Sequence, residues 1–377
     1  MIKSSIWTIA GCMALCLSAC KGKPGKVEVK EDAYYLLVGS YAPAEDEGIK
    51  VYAFDQQTGQ NQYLSGLKGI SNPSYLQATE DGCKVYAVSE NEGEDAAVCA
   101  LQFDKEKSAL SLLDRKPADG GAPCYVAISP KENYVVAANY SGGSISVFPV
   151  GEDGRLEACR LISFTGKGAD AERQSQPHLH CALFTPDAHY MLASDLGTDK
   201  IHVFPLDASL GYPKTEDMFD ISLAAGSGPR HLALSPEGKQ IYVMTELSGE
   251  VVALSYDEEK LDTMQCVLAD TCRAGGGADI HVSPDGHFVY ASCRLQNDGI
   301  AIFEVSEDGS LTKVGYQPTG IHPRNFVITP NGKFLLVACR DSNVIEVYER
   351  DTDTGLLGET GIKIETPKPV CLKFVKR

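Results

Sequence analysis

Two histidines separated by one residue mark the segment of the chain with the most obvious capacity for chemistry, Glu172 to His180. His178 and His180 lie two positions apart, so on an extended strand they share one face. A neutral imidazole can take a proton from water, and a second one can return a proton to a leaving group. The spacing would also suit a metal ion, but no third ligand of matching type lies nearby. We therefore expect catalysis or substrate hydrogen bonding here rather than a metal site.

Charged side chains elsewhere in the sequence would complete such a site. Arg230, Arg294 and Arg324 can stabilise negative charge, because a guanidinium pairs bidentately with a carboxylate or a phosphate. Glu246 can act as a base, or it can form a structural ion pair with Arg230. Three cations at one place would repel a metal ion and predict an anionic small-molecule ligand. Further contacts to that ligand are expected from Asn139, Asp195 and His231.

A repeated pattern must bring these residues together, because they are far apart in the sequence. An apolar stretch, a turn such as Ser-Pro-Asp-Gly and a second apolar run recur about every 50 residues. Two more short strands fit between copies, for example Val251 to Tyr256 and Met264 to Leu268. Four short strands per repeat are typical of a β-propeller blade, so the pattern predicts an all-β, seven-bladed propeller. The repeats start at Pro73, Pro123, Pro177, Pro229, Ala278, Pro323 and Pro369.

The two ends of the chain are predicted to share one blade. The last repeat start, Pro369, is followed by a single strand that ends near Phe374, whereas the N-terminal stretch supplies three strands without a repeat start. Pairing of the C-terminal strand with the N-terminal blade would close the ring and remove exposed sheet edges. The propeller domain is expected to span residues 33–377. The three N-terminal strands are predicted at Tyr34 to Val38, Ile49 to Phe54 and Tyr63 to Leu67.

The repeat also predicts where the chemistry lies. The first two strands of a repeat are antiparallel, so the residue after the repeat start and the end of the second strand lie at the same end of the blade. If the first strand is innermost, both positions face the mouth of the central channel. Divergent polar residues within a constant frame indicate a site, although a merely solvated channel would have the same pattern. The residues after the starts are Ser74, Cys124, His178, Arg230, Asp279, Arg324 and Val370. The second strands end at Ser89-Glu90, Asn139-Tyr140, Asp195-Leu196, Thr245-Glu246, Cys293-Arg294 and Cys339-Arg340.

Residues 1–19 have the pattern of a lipoprotein signal peptide. Lys3 precedes an apolar run from Ile6 to Leu17, and Leu17-Ser18-Ala19-Cys20 matches the lipobox, in which Cys20 becomes the acylated first residue. An ordinary signal peptide with an incidental cysteine is the alternative. Residues 20–32 would then be the acylated Cys20 and a polar tether. The expected location is the bacterial cell envelope, with the lipid on Cys20 anchoring the protein to the membrane.

The net charge argues against nucleic-acid binding, and the cysteine spacing argues against zinc sites. The chain carries 34 basic and 51 acidic residues, a formal net charge of −17, so nucleic acid is not an expected partner. Of the 13 cysteines, Cys12, Cys16 and Cys20 belong to the signal and lipobox. Most of the others lie in predicted strands, and none has Cys-x-x-Cys spacing. We interpret them as core residues rather than as disulfide or zinc sites.

Five short motifs occur in order between Tyr34 and Phe374. They are Pro177-His178-Leu179-His180, Asp195-Leu196-Gly197-Thr198-Asp199, Gly226-Ser227-Gly228-Pro229-Arg230-His231, Thr245-Glu246-Leu247 and His322-Pro323-Arg324. Together they resemble the 6-phosphogluconolactonase/lactonase family of seven-bladed propellers, and they are similar to the fungal carboxy-muconate lactonising enzymes of the same fold. The resemblance implies a metal-independent enzyme without a cofactor that opens or forms a lactone ring. It places the site on His178 or His180, Arg230, Glu246 and Arg294.

Hydrolysis of a lactone by these residues would need a base, an oxyanion partner and a proton donor. Glu246 or a neutral His178 or His180 would activate water, and Arg230 would stabilise the oxyanion. Arg294 and Arg324 would hold a carboxylate or phosphate of the substrate. The expected activity is hydrolysis of a sugar lactone. The alternatives are lactonising or isomerising chemistry on an unsaturated dicarboxylate, and a non-catalytic propeller that binds a ligand.

Overall fold

The described part of the chain forms seven antiparallel β-sheets of four strands each. The computed structural model describes residues 33–209, 211–257 and 260–377. The innermost strands of successive sheets pack against each other, and the last packs against the first, so the sheets form a closed ring. This arrangement confirms the predicted seven-bladed β-propeller. Helical structure in the described residues is confined to one short 3₁₀ turn, Gly93–Asp95.

The strands follow the repeat in chain order. Blade 1 begins with β1 (Ala33–Ser40), β2 (Ile49–Asp55) and β3 (Asn61–Leu67). Blade 2 contains β4 (Leu76–Ala78), β5 (Lys84–Ser89), β6 (Ala97–Asp104) and β7 (Ala109–Pro117), and blade 3 contains β8 (Pro123–Ile128), β9 (Tyr134–Asn139), β10 (Ser144–Pro149) and β11 (Arg160–Ser163). Blade 4 contains β12 (Leu179–Phe184), β13 (Tyr190–Asp195), β14 (Lys200–Pro205) and β15 (Phe219–Ser222), and blade 5 contains β16 (Pro229–Leu234), β17 (Gln240–Thr245), β18 (Glu250–Asp257) and β19 (Lys260–Leu268). Blade 6 contains β20 (Gly277–Val282), β21 (Phe288–Cys293), β22 (Gly299–Val305) and β23 (Leu311–Pro318), and blade 7 contains β24 (Pro323–Ile328), β25 (Phe334–Cys339), β26 (Val344–Arg350) and β27 (Leu357–Glu365). Strand β28 (Pro369–Lys376) returns to blade 1.

In blades 2 to 7, the innermost strand is joined to its neighbour by the turn that the repeat encodes. In blade 5 the Ser235 amide donates to the Gln240 carbonyl, and the Gly238 amide donates to the Ser235 carbonyl. Gly238 has a φ of +70°, a conformation that glycine adopts without strain. The turn therefore fixes the register of the first two strands, and it lies at the end of the blade opposite the predicted site.

The core consists of apolar layers between adjacent blades. Every residue of β9, β21 and β25 is buried, because the second strand of a blade has a neighbouring blade on each face. The outermost strands β11 and β15 are mostly exposed. The ten described cysteines are all free thiols, and six of them are buried, as expected for core residues. Across the described ranges, no helix has the length and apolar character needed to cross a membrane.

The C-terminal strand closes the ring as the sequence predicts. Strand β28 pairs antiparallel with β1 from Tyr34 opposite Lys376 to Ser40 opposite Pro369, and it is the innermost strand of blade 1. Its buried side chains include Val370, Cys371 and Leu372.

Deletion of residues 369–377 is therefore expected to lower the melting temperature by about 10 °C or more, since each buried apolar side chain contributes roughly 1.5–3 kcal/mol. Thermal denaturation followed by circular dichroism measures this shift, with deletion of Arg377 alone as the control. An unchanged melting temperature after the longer deletion would show that β28 does not hold the ring closed.

The structure corrects two of the predicted repeat starts. In blade 5 Pro229 pairs with Thr245, and in blade 4 the equivalent pair is Leu179 with Asp195, so Leu179 rather than Pro177 occupies the start position. In blade 6 the pair is Gly277 with Cys293, so the start is Gly277 rather than Ala278. The shared turn at the far end sets the register, whereas Pro177 lies in the loop before β12 and Ala278 lies one residue inside β20. The residue equivalent to Arg230 is therefore His180 in blade 4, not His178, and Ala278 in blade 6, not Asp279.

Candidate active site

Two tiers of side chains line one mouth of the central channel. The inner tier contains the residues just inside the start of the innermost strands, where the pairing shifts register in six of the seven blades. Such a bulge leaves one residue without a ladder partner and changes the direction of its side chain. The outer tier contains the residues that directly follow the second strands. The inner tier is Ser74, Cys124, His180, Arg230, Ala278, Arg324 and Val370, and the outer tier is Tyr41, Glu90, Tyr140, Leu196, Glu246, Arg294 and Arg340.

Glu246 is the centre of a buried charge cluster. Its Oε2 accepts from Arg230 Nε at 2.8 Å and lies 3.1 Å from Arg294 Nη2, while its Oε1 accepts from Arg173 Nη2 at 2.5 Å. The residue is only 8% exposed. Burial alone would raise the pKa of Glu246, but Arg294, Arg230 and Arg173 together lower it to about 2. A carboxylate with this pKa is a weak base, so the arrangement favours a role as counterion over the predicted alternative role of proton acceptor.

Arg230 and Arg294 are held rigidly by backbone oxygens as well as by Glu246. Arg230 is 1% exposed, and its Nη1 donates to the Ala278 carbonyl at 2.6 Å. Arg294 donates through Nε and Nη2 to the Gly276 and Gly277 carbonyls, both at 2.9 Å. Burial and neighbouring cations lower the pKa of Arg294 to about 9 despite the attraction of Glu246. Arg230 retains Nη2 without a hydrogen-bond partner among the described residues, so it has a donor to offer a ligand, whereas most donors of Arg294 are occupied.

Arg173 is a member of the cluster that the sequence analysis did not assign to the site. It lies in the connection between β11 and β12, and its side chain is 40% exposed. Although burial opposes its charge, the Tyr140 hydroxyl and Glu246 raise the pKa of Arg173. The buried Gln174 holds this loop in place, since its Nε2 donates to the Leu196 carbonyl at 2.8 Å and to Asp199 at 2.7 Å. Its position five residues before His178, within the segment Glu172 to His180, was the available signal.

His180 lies in the inner tier beside Arg230 and Arg324 and is 4% exposed. Its Nδ1 is 3.7 Å from the Cys124 thiol, and its ring meets the Tyr140 ring edge to face at 5.7 Å. Burial, followed by the charges of Arg230 and other neighbouring groups, holds the pKa of His180 well below its ordinary value of 6.5. The ring is therefore neutral in this structure, as a proton acceptor must be.

His178 occupies the rim of the mouth, above His180. Its ring stacks on the Tyr140 ring at 4.4 Å, and its Nδ1–H donates to the Tyr140 carbonyl at 2.8 Å. Nε2 is then the unprotonated nitrogen of the neutral ring, and the residue is half-buried. His178 precedes strand β12, and the pairing of that strand shifts register at His180, so the two histidines are not neighbours on one face of a regular strand as expected. Both still contact Tyr140, and both remain candidates for the base.

Arg324 contributes a guanidinium that no protein group uses for a hydrogen bond within the described residues. It lies over the Tyr41 ring at 5.3 Å and is half-buried. Burial opposes its charge, but Tyr41, Glu90 and Glu246 raise the pKa of Arg324. Glu90 in turn accepts hydrogen bonds from Tyr41 at 2.9 Å and from Ser74. Arg324 thus has its full set of N–H donors available in the mouth, which suits the predicted anion-binding role.

Two residues predicted to contact the substrate lie away from the mouth. Asn139 is fully buried and donates to Ser144 at 3.0 Å and to Ser146 at 2.8 Å. Asp195 is also fully buried, where it accepts from the His178 amide at 2.7 Å and from the Thr198 hydroxyl at 2.6 Å. As the last residues of second strands they lie one position too early, and their short side chains satisfy the local loop instead.

The third predicted contact, His231, lies below the inner tier in the channel. It is 4% exposed, and its Nδ1 is 2.7 Å from Asp279 Oδ1. Burial and Arg230 lower the pKa of His231 to about 4 in spite of the Asp279 carboxylate. The ring meets the His180 ring at a centre-to-centre distance of 5.2 Å.

The described residues contain no group of three or more His, Cys, Asp or Glu side chains placed to hold a metal ion. The mouth instead gathers Arg173, Arg230, Arg294 and Arg324 around Glu90 and Glu246. In a chain of strongly negative net charge, this cluster is a local concentration of positive charge.

Known proteins resemble this chain over nearly its whole length. The sequence profile described as "Lactonase, 7-bladed beta-propeller" matches residues 35–374. A 6-phosphogluconolactonase of Bacillus subtilis is 36% identical over 353 residues, which cover 91% of this chain and 98% of that protein. A proposed 6-phosphogluconolactonase of Bacteroides fragilis has a crystal structure with a TM-score of 0.87 and 48% identity, covering 94% of this chain and 100% of its own. The structure of a periplasmic gluconolactonase of Pseudomonas aeruginosa has a TM-score of 0.83 and 31% identity, covering 91% and 99%.

Proposed function

The chain belongs to the seven-bladed β-propeller lactonase family, and we propose that it hydrolyses an anionic sugar lactone at the channel mouth built around Glu246. Its relatives named 6-phosphogluconolactonase and gluconolactonase support a sugar lactone as the substrate. One observation supports this location for the reaction. The neutral His180 lies in the same tier as Arg230 and Arg324, which both have N–H donors that no protein group uses.

The reaction begins with attack of water on the lactone carbonyl carbon. His180 takes a proton from the water as its oxygen bonds to carbon, and the carbonyl oxygen gains negative charge. Arg230 Nη2 is the donor for that oxyanion, because its other contacts to Glu246 and Ala278 fix the guanidinium in advance. The bond between the carbonyl carbon and the ring oxygen then breaks, and the ring oxygen receives the proton from His180. The product is a hydroxy acid that ionises to a carboxylate.

Substrate charge would adjust the basicity of His180. After burial, the charges of Arg230 and Arg324 contribute to the low pKa of the ring. An anionic group bound to Arg324 offsets part of that positive charge, so the imidazole becomes a better base when the substrate is present. A neutral lactone would lack this effect. We therefore assign Arg324 to a carboxylate or phosphate of the substrate, with phosphate favoured by the names of the relatives.

Replacement of Arg324 by glutamine is expected to raise KM for 6-phosphorylated aldonolactones by about 10- to 100-fold, because a hydrogen-bonded charge pair contributes roughly 1.5–3 kcal/mol. For the corresponding unphosphorylated lactones KM should change by less than about 3-fold. The measurement is turnover on a panel of δ- and γ-aldonolactones with and without phosphate, corrected for spontaneous hydrolysis.

The exposed Arg155, which pairs with Asp153 on the surface, provides a charge-matched control as Arg155→Gln. An equal loss on both classes of lactone would remove Arg324 from the anion site. No turnover by the unmodified protein on any lactone would reject the proposed hydrolase. Ring formation or isomerisation without uptake of water would instead indicate lactonising chemistry.

We further propose that the enzyme is a lipoprotein of the bacterial cell envelope, anchored through Cys20. The proposal rests on the sequence Leu17-Ser18-Ala19-Cys20, which lies outside the described residues. The periplasmic gluconolactonase of Pseudomonas aeruginosa offers a related protein in that compartment. Replacement of Cys20 by serine should move the protein from the membrane fraction to the soluble fraction and abolish fatty-acid labelling. Retention of label in the Cys20→Ser protein would disprove the anchor.

A further inference from the structure

A buried His–Asp pair lies directly beneath the candidate base and has no place in the mechanism above. His231 and Asp279 occupy equivalent positions in blades 5 and 6, one residue deeper in the channel than the inner tier. The Asp279 side chain is 3% exposed and the His231 side chain 6%. Two ionisable groups this deep in the channel are costly to bury unless their hydrogen bonds are satisfied.

Asp279 is fully satisfied by its surroundings. Its Oδ1 accepts from His231 Nδ1 at 2.7 Å and from the Ile280 amide at 3.0 Å. Its Oδ2 accepts from His281 Nε2 at 3.0 Å, from the Phe326 amide at 3.2 Å and from Asn325. A carboxylate accepts hydrogen bonds only, so Nδ1 of His231 carries the proton. In the neutral ring, Nε2 is therefore an unprotonated acceptor.

That acceptor has no partner. Nε2 of His231 is a fully buried polar atom without a hydrogen bond among the described residues. Buried acceptors of this kind are normally satisfied, and where protein groups do not reach them an ordered water does. The neighbouring rings are Tyr75, Tyr125 and His180, at centre-to-centre distances of 6.0, 5.3 and 5.2 Å.

Of these three neighbours, His180 is the one that takes part in the proposed reaction. A water bonded to both His231 and His180 would therefore link the His–Asp pair to catalysis. The Tyr75 hydroxyl already accepts from Lys373 at 3.2 Å, and the Tyr125 hydroxyl interacts with Tyr75 and Cys181. The His180 ring meets the His231 ring at an interplanar angle of 68°, with only the Cys124 thiol near its Nδ1.

We infer that Asp279 and His231 form a positioning relay for His180: a buried water donates to His231 Nε2 and accepts from the N–H of His180. This inference rests on the proposed function of His180 as base. Asp279 fixes the proton of His231 on Nδ1, His231 fixes the orientation of the water, and the water fixes the proton of His180 on one nitrogen. The other nitrogen of His180 is then unprotonated and available to the attacking water. The same logic lets a carboxylate set the tautomer of a catalytic histidine in hydrolases.

The test compares three single variants of the full chain. His231→Phe keeps an aromatic ring but removes the Nε2 acceptor. Asp279→Asn weakens the control of the His231 tautomer. Asn325→Ala is the matched control, because it also removes a partner of Asp279 and its bond to the Leu372 amide but leaves the relay intact. We expect His231→Phe and Asp279→Asn to lower kcat by about 10- to 100-fold with KM nearly unchanged, as part of the contribution of a general base. Asn325→Ala should lower the melting temperature but not kcat.

Selective ¹⁵N labelling of histidine gives a readout that does not depend on turnover. In the unmodified protein, His180 is expected to show a single tautomer, and His231 should show an unprotonated Nε2. In His231→Phe, the His180 nitrogens should report a mixture of tautomers, whereas Asn325→Ala should leave them unchanged. A single, unchanged tautomer of His180 in His231→Phe would overturn the relay, as would a loss of kcat in Asn325→Ala equal to that in the other variants. Failure of the lactonase proposal is distinguished by absent turnover in the unmodified protein, while the tautomer measurement still decides the relay.

Discussion

Replacement of His180 by phenylalanine is expected to lower kcat on the preferred lactone by about 10²–10⁴-fold, the usual contribution of a positioned base. Phenylalanine preserves the buried ring and its edge contact with Tyr140 but has no nitrogen to accept a proton. KM should change little, because the charged groups that hold the substrate remain. Steady-state kinetics on the purified protein measure both constants, and the melting temperature verifies that the site is still folded.

His178→Phe is the matched control for this variant. His178 also stacks on Tyr140, so phenylalanine retains its packing, and the variant loses only the hydrogen bond to the Tyr140 carbonyl. We expect kcat to fall by less than about 10-fold, since the ring lies at the rim rather than in the inner tier. If His178→Phe instead loses most of its activity and His180→Phe does not, the base is His178, whose Nε2 is unprotonated in the neutral ring.

The fold was predictable because the same four-strand pattern recurs along the chain. The turn, the apolar strands and the shared blade each follow from periodicity and from the cost of an unpaired sheet edge. Each copy of the pattern supports the others, so a departure in one blade does not alter the architecture. The predicted closure by the strand after Pro369 depends on the same reasoning and is confirmed by its pairing with β1.

The site was predictable in its location and less so in its detail. The ends of the second strands gave the outer tier, including Glu246 and Arg294. The inner tier differs from the prediction in two blades, because Pro177 lies in the loop before β12 and the predicted start Ala278 lies one residue after Gly277; the turn at the other end of the strands is the reliable marker. Counting back five residues from Thr185 reaches His180, as counting back from Ser235 reaches Arg230. Arg173 could not be placed, since a loop residue follows no strand periodicity.

The role of Glu246 shows a further limit of sequence reasoning. A glutamate near arginines can be a base or a counterion, and its residue type does not distinguish the two. The number of cations that touch it decides, because each additional guanidinium stabilises the charged form. Three such contacts, and the resulting pKa of about 2, are properties of the folded mouth.

Replacement of Glu246 by glutamine is accordingly expected to reduce both stability and activity. Glutamine has nearly the same shape but no charge, so Arg173, Arg230 and Arg294 would face each other without a counterion. Breaking a buried ion pair from one side typically costs about 3–5 kcal/mol. Chemical denaturation at pH 7 measures this loss, and kcat should fall as well because Arg230 is no longer fixed by its 2.8 Å bond to the carboxylate.

The stability difference between the unmodified protein and Glu246→Gln depends on pH, and the sign of this dependence follows from the pKa of Glu246. The pKa of Glu246 is lowered by folding from its ordinary value of 4.5 to about 2. A group of this kind stabilises the folded state above its unfolded pKa, and that stabilisation is lost as the pH falls toward the folded pKa. The stability gap between the unmodified protein and Glu246→Gln should therefore be constant near neutrality and shrink between about pH 4.5 and pH 2.

A double variant separates the counterion from a catalytic base. If Glu246 serves to neutralise the cluster, Arg173→Gln combined with Glu246→Gln should recover part of the lost stability, since one unpaired cation is removed with its partner. Coupling energies between contacting residues are typically 0.5–3 kcal/mol, which denaturation can resolve. If Glu246 were instead the base, Glu246→Gln would abolish turnover with little change in stability, and removal of Arg173 would show no coupling. The location of the base and the reason for three arginines at one carboxylate are thus decided by the same set of proteins.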